Sequence, residues 1–474
     1  MLGQIGEAMK DLPGNKVHFV SLGCPRNLVD TEVMLGILLQ HGYEPTERQD
    51  EADYLVVNTC GFLESARQES LDTISSLVSG KKPSAKVIVT GCMAQKFPEQ
   101  IEQAFAQGIS LLGSGDVNHI LKLIQEEEPK RLISDAKSFL EQGEIPRVIS
   151  TPKHYAYLKI AEGCLKRCSF CAIPSIKGNL KSKSVEQIIR EFKALLSQGV
   201  QEVILIAQDL GDFAKDRREK GGLEALLKEM LQVPGDYWIR LLYLYPDEIT
   251  DELIEIMQQD SRICRYLDMP IQHVNDRVLK AMRRKTSRAD IESIIAKLRE
   301  KMPEIVIRTS LMVGFPSETE EEFEELLSFV QTQKLDQVGV FQYSLEEGTP
   351  AATMVEQIDE TTKQARWEKL MAAQAKVVKE KLASQVGKKV VVRIDGPHPE
   401  TPLLRVARTQ GQCPQIDGQV ILNDWSQGAQ PGQLYIAQIT QALDYDWLAT
   451  VIKPYKASSL PARSKSGKLA LFKH

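Results

Sequence analysis

A chain of 474 residues, 42% hydrophobic and 26% charged, exceeds one hydrophobic core and is expected to fold as about three domains. Its net charge of -5 excludes a general polyanion-binding surface, and no apolar run approaches the ~20 residues that cross a bilayer. Residues 1–16 lack the basic, apolar, small-residue order of a secretory signal. The expected location is therefore the cytosol, where eight cysteines read as ligands or reactive groups rather than disulfides.

From Val17 a short apolar strand, a loop and an amphipathic helix repeat. Val17–Leu22 leads through Gly23-Cys24-Pro25 to a helix from about Leu28; Tyr54–Val57 leads through Asn58-Thr59-Cys60-Gly61 to one from about Leu63; Val87–Thr90 leads to Gly91-Cys92-Met93 and another. This alternation predicts a parallel sheet, whose ligands gather beyond the carboxyl ends of the strands. Cys24, Cys60 and Cys92 each stand at such an end. Taken singly, each reads as a small buried hydrophobe; taken together, they read as a three-cysteine cluster site. The sheet continues through Ile109–Leu112, and the charged stretch from Glu126 to Lys153 reads as a connection.

From Tyr155 the alternation resumes, with Cys164-Leu165-Lys166-Arg167-Cys168-Ser169-Phe170-Cys171 directly after its first strand. Three thiolates on one tight loop can hold three irons of a cubane cluster and leave the fourth open. Zinc is the alternative, but no His or Cys follows at a spacing that completes a tetrahedron. Six strand-helix units are expected here, an incomplete barrel with its chemistry at the carboxyl ends of the strands. Gln208, Asp209, Gln272, His273 and Arg308 stand there as candidates for cofactor or substrate contact, or as satisfied structural hydrogen-bonders.

Glu360 to Leu382 reads as a long polar helix. After Gly387, five short strands read as a small antiparallel barrel. Between Gly387 and Ile452 stand five Lys or Arg and six acids, a balance poor for an RNA groove. The tail from Lys453 carries six Lys or Arg and no acid, and reads as a solvated, disordered extension. Cys264 and Cys413 read as structural.

In this order the chain resembles the radical SAM (S-adenosylmethionine) methylthiotransferases: an α/β protein with an amino-terminal parallel α/β cluster domain (16–130), a partial (β/α)6 radical SAM barrel (151–385), a small carboxyl-terminal TRAM β-barrel (387–453) and a basic tail (454–474). Ser21-Leu22-Gly23-Cys24-Pro25-Arg26-Asn27-Leu28-Val29-Asp30, Asn58-Thr59-Cys60-Gly61-Phe62, Tyr266–His273 and Glu346-Glu347-Gly348-Thr349-Pro350 resemble the branch acting on small-subunit ribosomal protein number twelve. The resemblance implies two 4Fe-4S clusters, one on Cys164, Cys168 and Cys171 that binds SAM, and an auxiliary one on Cys24, Cys60 and Cys92. SAM cleavage would yield a 5'-deoxyadenosyl radical, and a second SAM would supply the methyl group. Phe170 is expected beside the adenine, Gln208 and Asp209 at the methionine end of SAM, Gly314 and Glu318 near the adenosine, and Arg308 among the cofactor contacts. For the basic tail, attachment to ribosomal RNA is the functional alternative to a solvated extension. The implied product is the beta-methylthio derivative of one aspartate. Implied partners are that ribosomal protein, free or on the ribosome, and an electron donor such as flavodoxin, with no membrane. Lys177, Lys181 and Lys183 stand where the family more often has arginine, and Leu210-Gly211-Asp212 and Ser317 also depart from it. The same chemistry on a tRNA adenosine, and a non-catalytic iron-sulfur sensor or RNA-binding protein, are the competing readings.

Overall fold

The computed structural model describes residues 14–105, 108–134, 140, 146–218, 222–424 and 429–455. The chain separates into one unit ending at Val378 and a second beginning at Lys379. The basic tail, from residue 456 on, lies outside the described residues.

In the first unit β1 (Lys16–Ser21), β2 (Glu44–Pro45), β3 (Tyr54–Thr59), β4 (Lys86–Gly91), β5 (Ile109–Gly113) and β6 (Arg131–Leu132) form a parallel sheet in the order β2-β1-β3-β4-β5-β6. Its central strands carry unbroken apolar runs because both faces are covered. Helix α1 (Pro25–Gln40) buries Val33, Met34, Ile37 and Leu38 on the face of Val17, Val56 and Ile88. Helix α2 (Glu64–Gly80) buries Ile74 and Leu77 on the opposite face, against Leu55, Val57, Val87 and Val89. A short helix α3 (Cys92–Lys96) follows β4 directly. Helix α1 starts three residues before the expected Leu28, because Cys24 is the residue before its first turn and Pro25 supplies the preset backbone of its first position.

The second sheet, also parallel, contains β7 (Tyr155–Lys159), β10 (Glu202–Ile206), β11 (Trp238–Leu241), β12 (Ile263–Asp268), β13 (Val306–Val313) and β14 (Gln337–Gln342), in the order β14-β13-β12-β11-β10-β7. A two-residue antiparallel ladder of β8 (Ala161–Glu162) and β9 (Lys181–Ser182) lies between β7 and β10 in the chain. The six strands curl as an open barrel whose edges are β7 and β14, as the alternation predicted. Strand β12 runs from Ile263 although Arg265 interrupts its apolar run, because that side chain reaches out to Glu304 at 3.1 Å.

The second unit contains β15 (Lys389–His398), β16 (Thr401–Arg408), β17 (Val420–Asp424), β18 (Leu434–Ala442) and β19 (Trp447–Pro454), closed in the order β15-β16-β17-β19-β18. The expected all-antiparallel barrel is corrected in one place, where β17 and β19 pair in parallel. Strand direction must return to itself around a closed ring, so five pairings require an odd number of parallel ones. Arg408 is buried in a two-point pair with Asp395 at 2.6 and 2.9 Å, and Arg393 donates to the Gly432 carbonyl at 2.8 Å. Two of the five Lys or Arg between Gly387 and Ile452 are thus turned inward.

Inside the open barrel, fully buried Glu202 on β10 accepts from Arg240 Nε on β11 at 2.7 Å. Removing one charge from such a pair strands the other. Arg240→Met is expected to cost about 3–5 kcal/mol, measured by urea unfolding, and the double variant Glu202→Gln/Arg240→Met is expected to recover most of that loss.

Candidate functional site

Strands β1, β3 and β4 are adjacent, so the residues just past their carboxyl ends meet. Cys24 closes the β1 turn, Cys60 follows β3 and Cys92 opens α3. Close approach between these turns is possible because two positions lack a Cβ. At Gly23, φ 85°, an added Cβ would lie 3.2 Å from Cys60 Sγ, and at Gly61 it would lie 2.7 Å from the Met93 nitrogen. Asn27 ties the three turns together: its amide donates to the Leu22 and Thr59 carbonyls at 3.0 Å each, and Cys92 Sγ lies 3.7 Å from its Oδ1. Burial pushes the Cys92 thiol up to about 12 and raises Cys60. Burial also acts to raise Cys24, but the Arg26 charge and the Asn27 N–H outweigh it and leave that thiol lowered.

The second triad lies on the loop after β7. Ser169 anchors this loop by donating from its hydroxyl to the Ala281 carbonyl at 2.8 Å and from its backbone to Met282 at 3.1 Å, while its carbonyl accepts from Ala351 at 2.8 Å. Burial pushes Cys164 up to about 11 and Cys171 up to about 12. Donors surround the sulfurs: the Ile173 N–H points at Cys171 Sγ at 3.4 Å, and the Tyr245 hydroxyl and Arg284 Nη1 stand 3.3 and 3.8 Å from Cys168 Sγ. The two triads are neighbours, because Cys92 packs against Ala172 and Ile176 just past Cys171. Arg26 reaches from the first triad into the open barrel, donating to the Ala207 carbonyl at 2.8 Å and lying 4.9 Å over the Tyr243 ring.

Buried charges hold the two sheets together. Lys177 Nζ meets Glu162 at 2.6 Å and Asp30 at 3.5 Å, and Lys159 pairs with Asp30 and, at 3.2 Å, with Glu162. All four side chains are at most 3% exposed. Although burial opposes its ionisation, Glu162 is held at about 2 by the two lysines. Lys183 is likewise spent on Glu191 at 2.5 Å, so two of the lysines at the family's arginine positions, Lys177 and Lys183, serve internal carboxylates here. Lys181 lies in the short β9 ladder. On the other side of the joint, buried Glu346 accepts from Arg67 at 2.5 Å and from the Glu64 N–H, the first residue of α2, at 3.1 Å.

The expected SAM residues fall in two groups. Gln208 is buried with neither amide atom hydrogen-bonded, and Asp209 Oδ2 has no hydrogen-bond partner, only the Lys166 ammonium at 3.5 Å. Asp209 Oδ1 accepts from Gly211 and Tyr245 backbone N–H groups at 3.0 and 3.3 Å. Burial, then the neighbouring Asp212, raises Asp209 to about 7. Such unspent polarity fits a ligand that brings both an ammonium and a carboxylate. Arg308 Nη1 pairs with Asp268 at 2.8 Å, and Phe170 packs beside Val278, Met282 and Phe315. Gly314 and Glu318 lie in an internal network: Glu318 accepts from the Gly314 N–H at 2.5 Å and from Arg366 at 2.7 Å, and His273 Nε2 lies 3.1 Å away. Gln272 takes left-handed backbone, φ 72°, and bridges to Leu311.

Sequence reasoning missed Lys166, Tyr245 and Arg284. Lys166 was legible only as a member of the cysteine loop, yet it meets Asp209, Asp212, Asp247 and Glu248 at 2.6 to 3.6 Å. Among the described residues, Asp209, Asp212 and Glu248 form the only group of three ligand atoms within 4.8 Å of one another, and the Lys166 and Lys215 ammonium groups already pair with it. Neither cysteine triad is that compact. A single zinc would draw its sulfurs to about 3.8 Å apart, given Zn–S near 2.3 Å. The wider triads, with N–H donors aimed at sulfur, fit the corners of a cluster better.

Residues 16–113 match the family model described as uncharacterised protein family UPF0004, residues 158–330 that of the radical SAM superfamily and residues 386–452 that of the TRAM domain. The chain is 57% identical over 444 residues to the ribosomal protein uS12 methylthiotransferase RimO of Protochlamydia amoebophila, covering 93% of this chain and 94% of that one. It is 52% identical over 441 residues to the protein of the same name from Chlamydia caviae, covering 93% and 96%. Among solved structures, the radical SAM methyltransferase TsrM of Kitasatospora setae, with cobalamin and a 4Fe-4S cluster bound, is similar in fold at TM-score 0.54 and 15% identity, covering 71% of this chain and 77% of that one.

Replacing Cys24, Cys60 and Cys92 together by Ala is expected to lower the iron held after anaerobic reconstitution by about half. The iron assay should show the same fall for the Cys164, Cys168 and Cys171 triple variant.

Proposed function

The chain belongs to the ribosomal protein uS12 methylthiotransferase family, and from that premise we propose that it joins a methylthio group to the beta-carbon of one aspartate of small-subunit ribosomal protein uS12. It is a radical SAM methylthiotransferase. In this reading 16–130 and 151–385 each hold one centre, and 387–453 recognises the protein substrate. When bound, two 4Fe-4S clusters and SAM supply reductive cleavage of SAM, hydrogen removal from an unactivated carbon, and the sulfur and methyl groups.

The observation that carries the reading is the abutment of two three-cysteine sites through Cys92 and Ala172, which suits a reaction that must bring a carbon and a sulfur together. Cys164, Cys168 and Cys171 would hold the cluster that opens SAM, and Cys24, Cys60 and Cys92 the auxiliary one. Asp209, backed by the Gly211 and Tyr245 N–H groups, would take the ammonium of SAM, and Gln208 its neighbouring polar atoms. Phe170 would lend an apolar surface to the adenine, and Arg308 and the Gly314 region would border the rest of the molecule. Turning Arg393 and Arg408 inward lowers the positive charge that the span Gly387–Ile452 offers a tRNA, in keeping with a basic ribosomal protein as substrate. We assign the electron donor to the flavodoxin class and the site of action to the cytoplasm; no described helix is long and apolar enough to cross a membrane.

Two outcomes test this reading. Mass spectrometry of uS12 from cells with and without the gene should show a methylthio increment on one aspartate that disappears on deletion; an unmodified uS12 in both would refute it. SAM binding should also depend on pH through Asp209: below about 7 the carboxyl is protonated and cannot pair with an ammonium, so affinity should fall roughly tenfold per pH unit below that value and level off above it. Equilibrium dialysis of Asp209→Asn should show weak binding without that slope.

A further inference from the structure

Of the stretch Arg283–Thr286, only Arg284 enters the scheme above. After the helix Asp276–Ala281, Arg283 takes left-handed backbone, φ 59°, and the following side chains alternate: Arg283 exposed, Arg284 buried, Lys285 exposed. A non-glycine residue held in that conformation is costly, and such positions cluster at functional sites. The kink sends Arg284 inward to Cys168 Sγ, where its guanidinium stacks 3.9 Å over the Tyr245 ring. Arg284 also donates to the Pro270 carbonyl, and the Tyr245 hydroxyl touches the same sulfur. The turn at Arg283 therefore sets two exposed cations on either side of a buried one that touches a sulfur of the SAM-binding triad.

A cavity of about 330 Å3 borders this place, with Cys168 and Tyr245 in its wall. Its lining carries six cations (Lys166, Arg167, Lys215, Arg283, Arg284, Lys285) against three acids (Asp212, Asp247, Glu248), a local net of +3 on a chain whose net charge is -5. Lys166 and Lys215 already satisfy the acids. Arg283 and Lys285 make no ion pair with a described residue. Leu165, 43% exposed, supplies an apolar contact among the charges. A small apolar centre within a ring of one sign is how transient, electrostatically steered protein contacts are built.

We propose that this face, Leu165 ringed by Arg167, Arg283 and Lys285, docks a small acidic one-electron carrier protein of the flavodoxin kind. The transfer moves one electron and no atoms: the reduced flavin of the carrier loses it, and the centre held by Cys164, Cys168 and Cys171 gains it. The proposal rests on the cluster assignment made under Proposed function and adds to it the place and charge of the donor.

The test uses anaerobically reconstituted full-length protein, flavodoxin hydroquinone and stopped-flow absorbance. Arg283→Glu/Lys285→Glu is expected to slow reduction by flavodoxin about tenfold or more at low salt and to flatten its dependence on ionic strength, with a smaller loss for Arg283→Ala/Lys285→Ala. Reduction by dithionite, and SAM cleavage driven by dithionite, should stay at the wild-type level in both variants. An unchanged flavodoxin rate would overturn the proposal. So would an equal loss with dithionite, or weakened SAM binding, either of which would give the cavity to the small molecule. Charge-dependent reduction by a ferredoxin but not by flavodoxin would overturn the choice of carrier. Wild-type protein that holds no cluster on the second triad would instead sink the earlier assignment, and its visible spectrum reports that separately.

Discussion

Four charges that could not survive alone in a protein interior set the geometry of this enzyme. Lys159 and Lys177 from the barrel side meet Asp30 from α1 and Glu162 from β8, where nearly all water is excluded. Each would be expensive to bury unpaired, so the sheets can approach only in the arrangement that pairs all four. Such a contact adds little net stability over an apolar one, but it admits few alternatives. Its place explains its use: Asp30 lies six residues past Cys24 on the helix that follows it, and Lys177 is six residues past Cys171. Fixing those charges fixes the separation of the two thiolate triads.

The surroundings of the sulfurs show two kinds of control. Around Cys24 the Arg26 charge and a backbone N–H favour the thiolate, whereas Cys92, Cys164 and Cys171 are held protonated by burial. In the bare chain most of these thiols stay neutral near pH 7, so loading a cluster must expel protons. Arg26 is suited to both triads because its guanidinium spans the joint, fixed by the Ala207 carbonyl and the Tyr243 ring. Ala207 immediately precedes Gln208 and Asp209, so the same side chain also helps hold the loop that would meet SAM.

Much of this was legible in the chain because it is local. Cysteine spacing within one loop and cysteines placed after successive strands are properties of short segments, and the alternation of strand and helix gave both parallel sheets. The start of α1 was missed because Gly23-Cys24-Pro25 reads as a turn, although Pro25 is well suited to open a helix. The parallel β17 and β19 pair was missed because it follows from closing a ring, which no single strand records. What could not be read was long-range: Asp30 with Lys177, Arg67 with Glu346, and Arg284 with Cys168 are joined across more than a hundred residues by packing alone. The lysines at 177 and 183 looked like weakened anion binders, but Lys177 serves Glu162 and the distant Asp30, and Lys183 serves Glu191 on the helix that follows it.

The segment that leaves the first sheet does not simply lead away from it. Arg147 and Ser150 turn back onto α1, where buried Glu32 accepts from Arg147 Nε at 2.8 Å and from the Ser150 N–H at 2.7 Å, while Arg147 also donates to the Tyr157 carbonyl of β7 at 2.6 Å. This linker is therefore a clasp, and the apparent seam in the sequence is no place to cut. Chimaeras that exchange one half with a relative would have to carry matching acids and bases along both sides of the join, which ties the two halves to a common descent even where their outer surfaces are free to drift.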